Sequence, residues 1–198
     1  MKTTVLFAAA AFAFAATAGA QQSTQQQTTP RQSPPEKTTQ QAAPHVSSSG
    51  SEDIEFVLDA AKGGMAEVEL GKLAADRASN PEVKKFAQRM VDDHTKAGDE
   101  LKSIAESKGI KLPMDVEAKD KALMNRLSKL NGAAFDRAYM QAMVSDHVKD
   151  VNEFKKEANA GRDPQVKSFA SNTLPTLEEH LQHARQARTA ATSTAAGN

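Results

Sequence analysis

The sequence predicts an all-α protein, a bundle of four long helices with a short extra helix in the central connection. Beyond residue 51, apolar residues recur every three or four positions, which is the spacing of one helix face. Breaks containing proline or glycine divide this region into two pairs of long helices. Two helical hairpins and one long connection are typical of a ferritin-like antiparallel bundle, although a simple up-down bundle would fit the same lengths.

The helix boundaries follow the capping residues and helix breakers along the chain. Ser51 is the predicted N-cap of the first helix. Asn80 and Asp163 each precede a proline, and a cap followed by proline favours the start of a helix. The expected long helices are residues 52–78, 81–108, 133–160 and 164–190, with the short helix at 117–130.

The first twenty residues have the pattern of a secretory signal peptide. Lys2 precedes an apolar run, and the small residues 18–20 form a cleavage site before Gln21. Residues 21–50 are mostly Gln, Ser, Thr and Pro, so they bury little apolar surface and are expected to form a disordered linker that includes His45. The expected domain is 51–190, with a disordered tail at 191–198. This organisation predicts a periplasmic or secreted protein.

Composition excludes several classes of function. The chain has no cysteine, so it has neither a disulfide nor a thiolate metal ligand. Without Lys2 in the signal peptide, 24 basic residues face 25 acidic ones, and this near-neutral balance argues against nucleic-acid binding. No segment after the signal peptide is apolar enough to be a membrane helix. A protein partner and any oligomeric state are left open.

Three histidines mark the candidate site. His94, His147 and His180 each replace an apolar residue on the inward stripe of a different helix, and each follows an acidic residue. Glu67 lies at a similar depth along the first helix, so these four side chains could meet at one level. Imidazole and carboxylate ligands suit zinc, iron, copper or manganese. The alternative is a hydrogen-bonded polar layer that fixes the register of the helices.

Other polar residues nearby have simpler interpretations. Asp92 and Glu178 are expected on solvated helix faces, and His183 is expected to be exposed among polar neighbours. Pro175 predicts a kink before His180, because proline removes a helical hydrogen bond. The sequence contains no nucleophile–base pair and no glycine-rich phosphate loop, which favours a non-enzymatic protein.

Two further patterns bear on packing. Gly64 and Gly71 share one face of the first helix, and glycine there predicts a close helix–helix approach. Segments also recur: residues 90–96 resemble 143–149, and 80–87 resemble 163–170, as in a duplicated hairpin.

Three segments resemble a known family. Residues 64–74, 86–94 and 173–181 are similar to domain of unknown function 4142, found in bacterial secreted and periplasmic proteins and often labelled outer-membrane proteins. The resemblance covers nearly all of 53–188. It implies a ferritin-like bundle in the bacterial envelope, and it implies no activity, substrate or catalytic residue. The Glu-x-x-His pairs of di-iron proteins are missing, because the residues three before His94, His147 and His180 are apolar.

Two functional hypotheses follow from the sequence. The first is a non-enzymatic envelope protein, stress-related or engaged in interactions, with a buried histidine layer. The second is a mononuclear metal-binding or metal-dependent redox protein that uses Glu67, His94, His147 and His180.

Overall fold

The computed structural model describes residues 48–196, and every regular element in this range is an α-helix. The predicted signal peptide and nearly all of the predicted linker lie outside the described residues. The all-α prediction is confirmed. The helices are α1 (Ser48–Arg77), α2 (Pro81–Ser107), α3 (Ala118–Leu127), α4 (Gly132–Ala160) and α5 (Pro164–Ala196).

Two aspartates fix the direction of α1 relative to α4. Near the start of α1, the carboxylate of Asp53 accepts a hydrogen bond from the Asp163 backbone N–H at 2.8 Å, in the turn that follows α4. Near the start of α4, Asp136 accepts one from the Asn80 N–H at 2.9 Å, in the turn that follows α1. Each helix therefore begins where the other ends, and α1 and α4 are antiparallel.

The central connection crosses the full length of the bundle. Lys108, just beyond α2, forms an ion pair with Asp163 at 2.6 Å, while Asp136 near the start of α4 binds the turn at the opposite end. The segment between α2 and α4, which includes α3, thus runs from one end of the bundle to the other, and α2 and α4 are parallel. This is the ferritin-like crossover and not the simple up-down arrangement.

The core has two apolar clusters on either side of the polar level. One cluster lies towards the α1–α2 turn and the other towards the α4–α5 turn. The larger side chains of the first are Leu70, Phe86, Met90, Phe135, Tyr139 and Met140. Those of the second are Val57, Leu101, Phe154, Val166, Phe169 and Leu177.

Three helix boundaries differ from the sequence predictions. The first helix begins at Ser48, so Ser51 lies inside it and is not its N-cap, and α3 is shorter than predicted. The fourth long helix continues to Ala196 instead of ending at residue 190. The physical reason is that the terminal residues are rich in alanine, the strongest helix former, and that Ala191 continues the inward stripe and is buried against the first cluster.

The two glycines predicted to permit a close helix approach differ from each other. A Cβ on Gly71 would lie 2.9 Å from Val91 Cγ2 and 3.0 Å from the Ala87 carbonyl oxygen, so α1 and α2 do approach closely there. A Cβ on Gly64 would meet nothing within 4 Å. The prediction is therefore wrong for Gly64, because α1 faces a cavity at that position and not another helix.

Candidate metal centre

Four helices each place one polar side chain at the same level of the core. Glu67 of α1, His94 of α2, His147 of α4 and His180 of α5 are all more than nine-tenths buried. Each histidine lies on an otherwise apolar stripe, so the phase of its helix directs the ring inward. The structure thus brings together all four residues that the sequence singles out.

The three imidazole rings form a nearly equilateral triangle. Their centroids are 5.7 Å apart for His94 and His147, and 5.4 Å apart for each pair that includes His180. One ring nitrogen from each residue lies within 4.8 Å of the other two. Two nitrogens bound to one tetrahedral zinc are about 3.3 Å apart, given bonds of about 2.0–2.1 Å. His147 Nε2 and His180 Nδ1, separated by 3.4 Å, already match this spacing.

Hydrogen bonds on the outer side of two rings fix their tautomers. His147 Nδ1 lies 3.0 Å from the Met143 carbonyl oxygen, which can only accept, so Nδ1 carries the proton. His180 Nε2 donates in the same way to Asp93 Oδ2 at 2.8 Å. In the neutral rings, His147 Nε2 and His180 Nδ1 are then both lone-pair atoms facing each other, and no hydrogen bond joins them. A cation placed between them would bind both.

His94 completes the triangle. Its Nδ1 lies 3.1 Å from Glu67 Oε2, while its Nε2 is buried without a hydrogen-bond partner. In a purely hydrogen-bonded layer, this Nε2 would carry a proton and donate it in a hydrogen bond to the lone pair of His147 Nε2 or His180 Nδ1. Such a bond is not formed, and a buried nitrogen without a partner costs about 1–3 kcal/mol.

Glu67 lies behind the rings and not between them. Besides contacting His94, its Oε1 is 3.3 Å from His147 Nδ1, the outer nitrogen of that ring. The three histidines form one group of possible ligands, whereas Glu67 belongs to a second group with His147 and Asp150. Its geometry is that of a carboxylate that orients imidazole ligands, an arrangement common around protein-bound metals.

Burial keeps the imidazoles neutral. Desolvation, followed by repulsion from His147 and His180, lowers the pKa of His94 to about 3. Desolvation and the neighbouring His180 lower the pKa of His147 to about 4. Burial also lowers the pKa of His180, although Asp93 opposes this change. Neutral rings at physiological pH have the lone pairs that metal binding requires.

The carboxyl groups around the rings differ from one another. Burial, together with the negative charges of Asp150 and Asp146, raises the pKa of Glu67 well above its usual value. Burial and Asp146 raise the pKa of Asp150 to about 7. Burial also disfavours the ionised form of Asp93, but hydrogen bonds from His180 and Arg89 outweigh it and lower the pKa of that carboxyl. A cation at the rings would therefore have an ionised partner in Asp93.

A polar cluster separates His180 from solvent between α2 and α5. Arg89 bonds Asp93 at 3.2 Å, Glu179 at 2.7 Å and the ring of His183 at 3.0 Å. His183 is exposed and does not join the triangle, in agreement with its sequence interpretation. Asp92 and Glu178 are exposed as well.

Sequence reasoning did not identify two residues of this site. Asp93 directly precedes His94, and a step of one residue turns it towards α5 and His180. Asp150 lies three positions after His147 and therefore on nearly the same face of α4. Asp150 could have been predicted from the sequence, because a histidine and an acidic residue three positions apart are neighbours on a helix. The role of Asp93 depends on how α2 packs against α5, which no local pattern reveals.

Comparison with known proteins identifies the family. The sequence matches the domain of unknown function DUF4142 over residues 35–187. The chain belongs to the DUF4142 family. Among curated proteins, none matches the sequence significantly. No helix within residues 48–196 has the length and apolar character needed to cross a membrane.

Two solved structures share the fold of this DUF4142 protein. One is a DUF305 fragment from Deinococcus radiodurans, with a TM-score of 0.62 and 14% identity over 70% of this chain and 95% of that one. The other is a DUF305 protein from Streptomyces coelicolor, described as a predicted secreted protein, with a TM-score of 0.58 and 17% identity over 67% of this chain and 89% of that one. At these identities the similarity establishes the helical bundle and no shared activity.

Proposed function

We propose that this protein binds one transition-metal ion through His94, His147 and His180. The observation that carries the proposal is the convergence of three buried ring nitrogens. Two of them are lone-pair atoms facing each other at 3.4 Å, and the third has no hydrogen-bond partner. A metal ion would satisfy all three at once.

The ligand chemistry narrows the choice of ion. Three neutral imidazoles favour zinc, copper or ferrous iron, whereas manganese prefers oxygen ligands. Three protein ligands also leave one position for water or another small ligand, as in many zinc sites. In this proposal Glu67 holds His94 and His147 from behind and Asp93 holds His180. This differs from the sequence hypothesis, in which Glu67 is itself a ligand.

Metal binding is tested with purified protein stripped by chelator and then titrated with zinc or copper. The parent should bind one equivalent and gain thermal stability, because an ion that binds only the folded state stabilises it. His94→Leu, His147→Leu and His180→Leu should each lose this gain. His183→Gln is the matched control, since it removes an exposed imidazole one helical turn beyond His180 and should leave binding unchanged.

A structural histidine layer is the second candidate. It is supported by the contacts of His94 with Glu67 and of His180 with Asp93, which join α2 to α1 and to α5 and would fix the register of these helices. In that case the protein would be a non-enzymatic interaction or stress-related bundle, and none of the tested ions would raise the melting temperature. That result would remove the metal proposal.

We also propose that the bundle functions outside the cytoplasm, with residues 1–20 as a signal peptide cleaved before Gln21. The pattern of the first twenty residues supports this, as does the description of the Streptomyces coelicolor neighbour. N-terminal sequencing of protein recovered from the periplasm or medium should begin at Gln21. Protein that retains Met1 and stays in the cytoplasm would contradict it.

A further inference from the structure

A cavity of about 840 Å³ lies between α1, α2 and the crossover connection. This volume is within the range of small-molecule sites, roughly 300–1,000 Å³. Its walls are mostly apolar and include side chains of the second core cluster, such as Leu101, Phe154 and Phe169. Ile110 and Leu112 of the connection form part of its rim.

Glycines keep this space open. Gly63, Gly64 and Gly98 all line the cavity, and a Cβ added at any of them would meet nothing within 4 Å. Glycine within a helix costs about 1 kcal/mol relative to alanine. Three such positions in α1 and α2 face one space, although a larger side chain would fit at each of them.

The two helical hairpins are related by an offset of 83 residues. Asp53 and Asp136, which bind opposite turns in the same way, are 83 positions apart, and so are Asn80 and Asp163. Applied to the three histidines, this offset leads to the cavity. The same offset relates each histidine to a residue that lines the cavity. The pairs are His147 with Gly64, His180 with Ala97, and His94 with Leu177.

One end of the cavity is polar. Glu67 and Asp150, which the same offset pairs, both line it, and each offers a carboxyl oxygen to a shared group with His147. Glu67 is only 3% exposed, and its Oε1, 3.3 Å from His147 Nδ1, makes no hydrogen bond of good geometry. An oxygen of this kind accepts hydrogen bonds, so a ligand with a donor at one end would fulfil its bonding capacity.

We propose that this cavity binds a small apolar molecule with a primary amine at one end, the amine bonded to Glu67 and Asp150 and the apolar body against Leu101 and Phe154. The two carboxyl groups suit an amine, because it donates several hydrogen bonds and their oxygens accept them. An ionised carboxylate head would bring only acceptor oxygens to this end of the cavity. The cavity adjoins the histidine triangle, since Glu67 and His94 both line it, but the amine bonds no imidazole, so ligand binding does not require the metal.

Two probes test the proposal on the mature full-length chain. The first is the fluorescence of 1-aminoanthracene, which increases in an apolar site. The second is the thermal shift produced by decylamine, compared with decanol and decanoate below their micellar concentrations. The parent should bind the fluorescent amine and should be stabilised most by decylamine, then decanol, and least by decanoate.

Variants separate the cavity from the metal centre. Gly64→Phe and Gly98→Phe fill the space and should weaken probe binding at least tenfold, while both still bind metal. Lys85→Phe, on the exposed face of α2, is the matched control and should bind the probe as the parent does. His147→Leu should lose metal and keep the probe, so that failure of one proposal is distinguishable from failure of the other. Asp150→Asn should reduce the preference for decylamine over decanol.

The contradicting results are equally specific. A parent that binds neither probe, or binding that Gly64→Phe and Gly98→Phe leave unchanged, overturns the cavity as the site. A preference for decanoate overturns the amine head. A probe signal that appears only after removal of residues 21–47 assigns the cavity to that segment of the chain and also overturns the proposal.

Discussion

The two halves of the bundle have the same framework but different interiors. In each half, an aspartate near the start of one helix binds the turn between the helices of the other pair: Asp53 binds the α4–α5 turn and Asp136 the α1–α2 turn. At the polar level, however, α4 and α5 carry His147 and His180, whereas the matching positions in α1 and α2 are Gly64 and Ala97. The same framework thus carries histidines at these positions of α4 and α5 and small residues that line the cavity at the matching positions of α1 and α2.

This comparison shows which parts of the chain determine the fold and which determine function. The turn-binding aspartates and the proline caps recur in both halves because both hairpins need the same turn. The side chains in the middle of the bundle lie away from these turns. They can therefore differ between the hairpins without affecting the hydrogen bonds that hold the turns. The following predictions test how different the two halves are.

The largest difference is expected between alanine substitutions in the two core clusters, measured as the loss of unfolding free energy. Met90 is fully buried in the first cluster, whereas Phe154 lines the cavity as well as the second cluster. Met90→Ala should cost about 3–5 kcal/mol, and Phe154→Ala about 2–3 kcal/mol, because the loss per atom is greatest where neighbours surround the side chain. Denaturant unfolding measures both. A larger loss for Phe154→Ala would show that the cavity is closed by packing in solution.

The turn-binding aspartates should differ by a smaller amount. Asp136 accepts hydrogen bonds from the Ser79 hydroxyl and from the backbone N–H groups of Ser79 and Asn80, while Asp53 accepts from the N–H groups of Arg162 and Asp163. Asp136→Ala should cost about 2–3 kcal/mol and Asp53→Ala about 1–2 kcal/mol, since each backbone donor loses its partner. Equal losses in denaturant unfolding would contradict the assigned difference between the turns.

Two glycines in α1 should respond in opposite directions. Gly64→Ala should stabilise the protein by about 0.5–1 kcal/mol, because alanine is the better helix former and its Cβ meets open space. Gly71→Ala should destabilise it by about 1–3 kcal/mol, because its Cβ would press on Val91 and on the Ala87 carbonyl. The pair is measured by thermal and denaturant unfolding, each residue serving as the control for the other. A stabilising Gly71→Ala would show that α1 and α2 are not in close contact.

The smallest effect is a pH dependence at one end of the bundle. Burial, followed by the charge of Asp53 and a hydrogen bond with it, raises the pKa of Glu157 to about 7, with Asp163 adding to this and Lys156 opposing it. A carboxyl whose pKa is raised by folding stabilises the protein fully at pH below its unfolded pKa and loses that contribution as pH rises through about 7. Glu157→Gln should therefore raise the melting temperature relative to the parent more at pH 8 than at pH 5.

The control for this pH series is Glu106→Gln, which removes an exposed carboxyl. If Glu157→Gln changes the melting temperature equally at pH 5 and pH 8, the Glu157 carboxyl is ionised without penalty in the folded state.

Much of the fold follows from the sequence, because helix phase and capping are local. The stripe residues Met90, His94 and His147 are buried as their spacing predicts, and Pro81 and Pro164 begin helices as expected. Helix ends are less determined, and the continuation of α5 to Ala196 depends on Ala191 finding an apolar surface. Whether the connection crosses the bundle depends on contacts between residues more than fifty positions apart, such as that of Lys108 with Asp163.

The site could be predicted only in outline. Helix phase brings Glu67 and the three histidines to one level, but it does not show which ring nitrogen faces inward. For His180 and His94 that depends on the contacts with Asp93 and Glu67, which form only after the helices pack. The cavity was missed for the same reason, since Gly64 is indistinguishable from Gly71 until the position of α2 is known.

X-ray absorption of the zinc- or copper-loaded protein tests the central claim most directly, because it counts the imidazoles bound to the ion. The account predicts one equivalent of metal with three imidazole nitrogens at about 2.0–2.1 Å. His147→Leu should abolish this signal, and His183→Gln should leave it unchanged. No stoichiometric metal, or a bound ion with fewer than three imidazole ligands, would contradict the account.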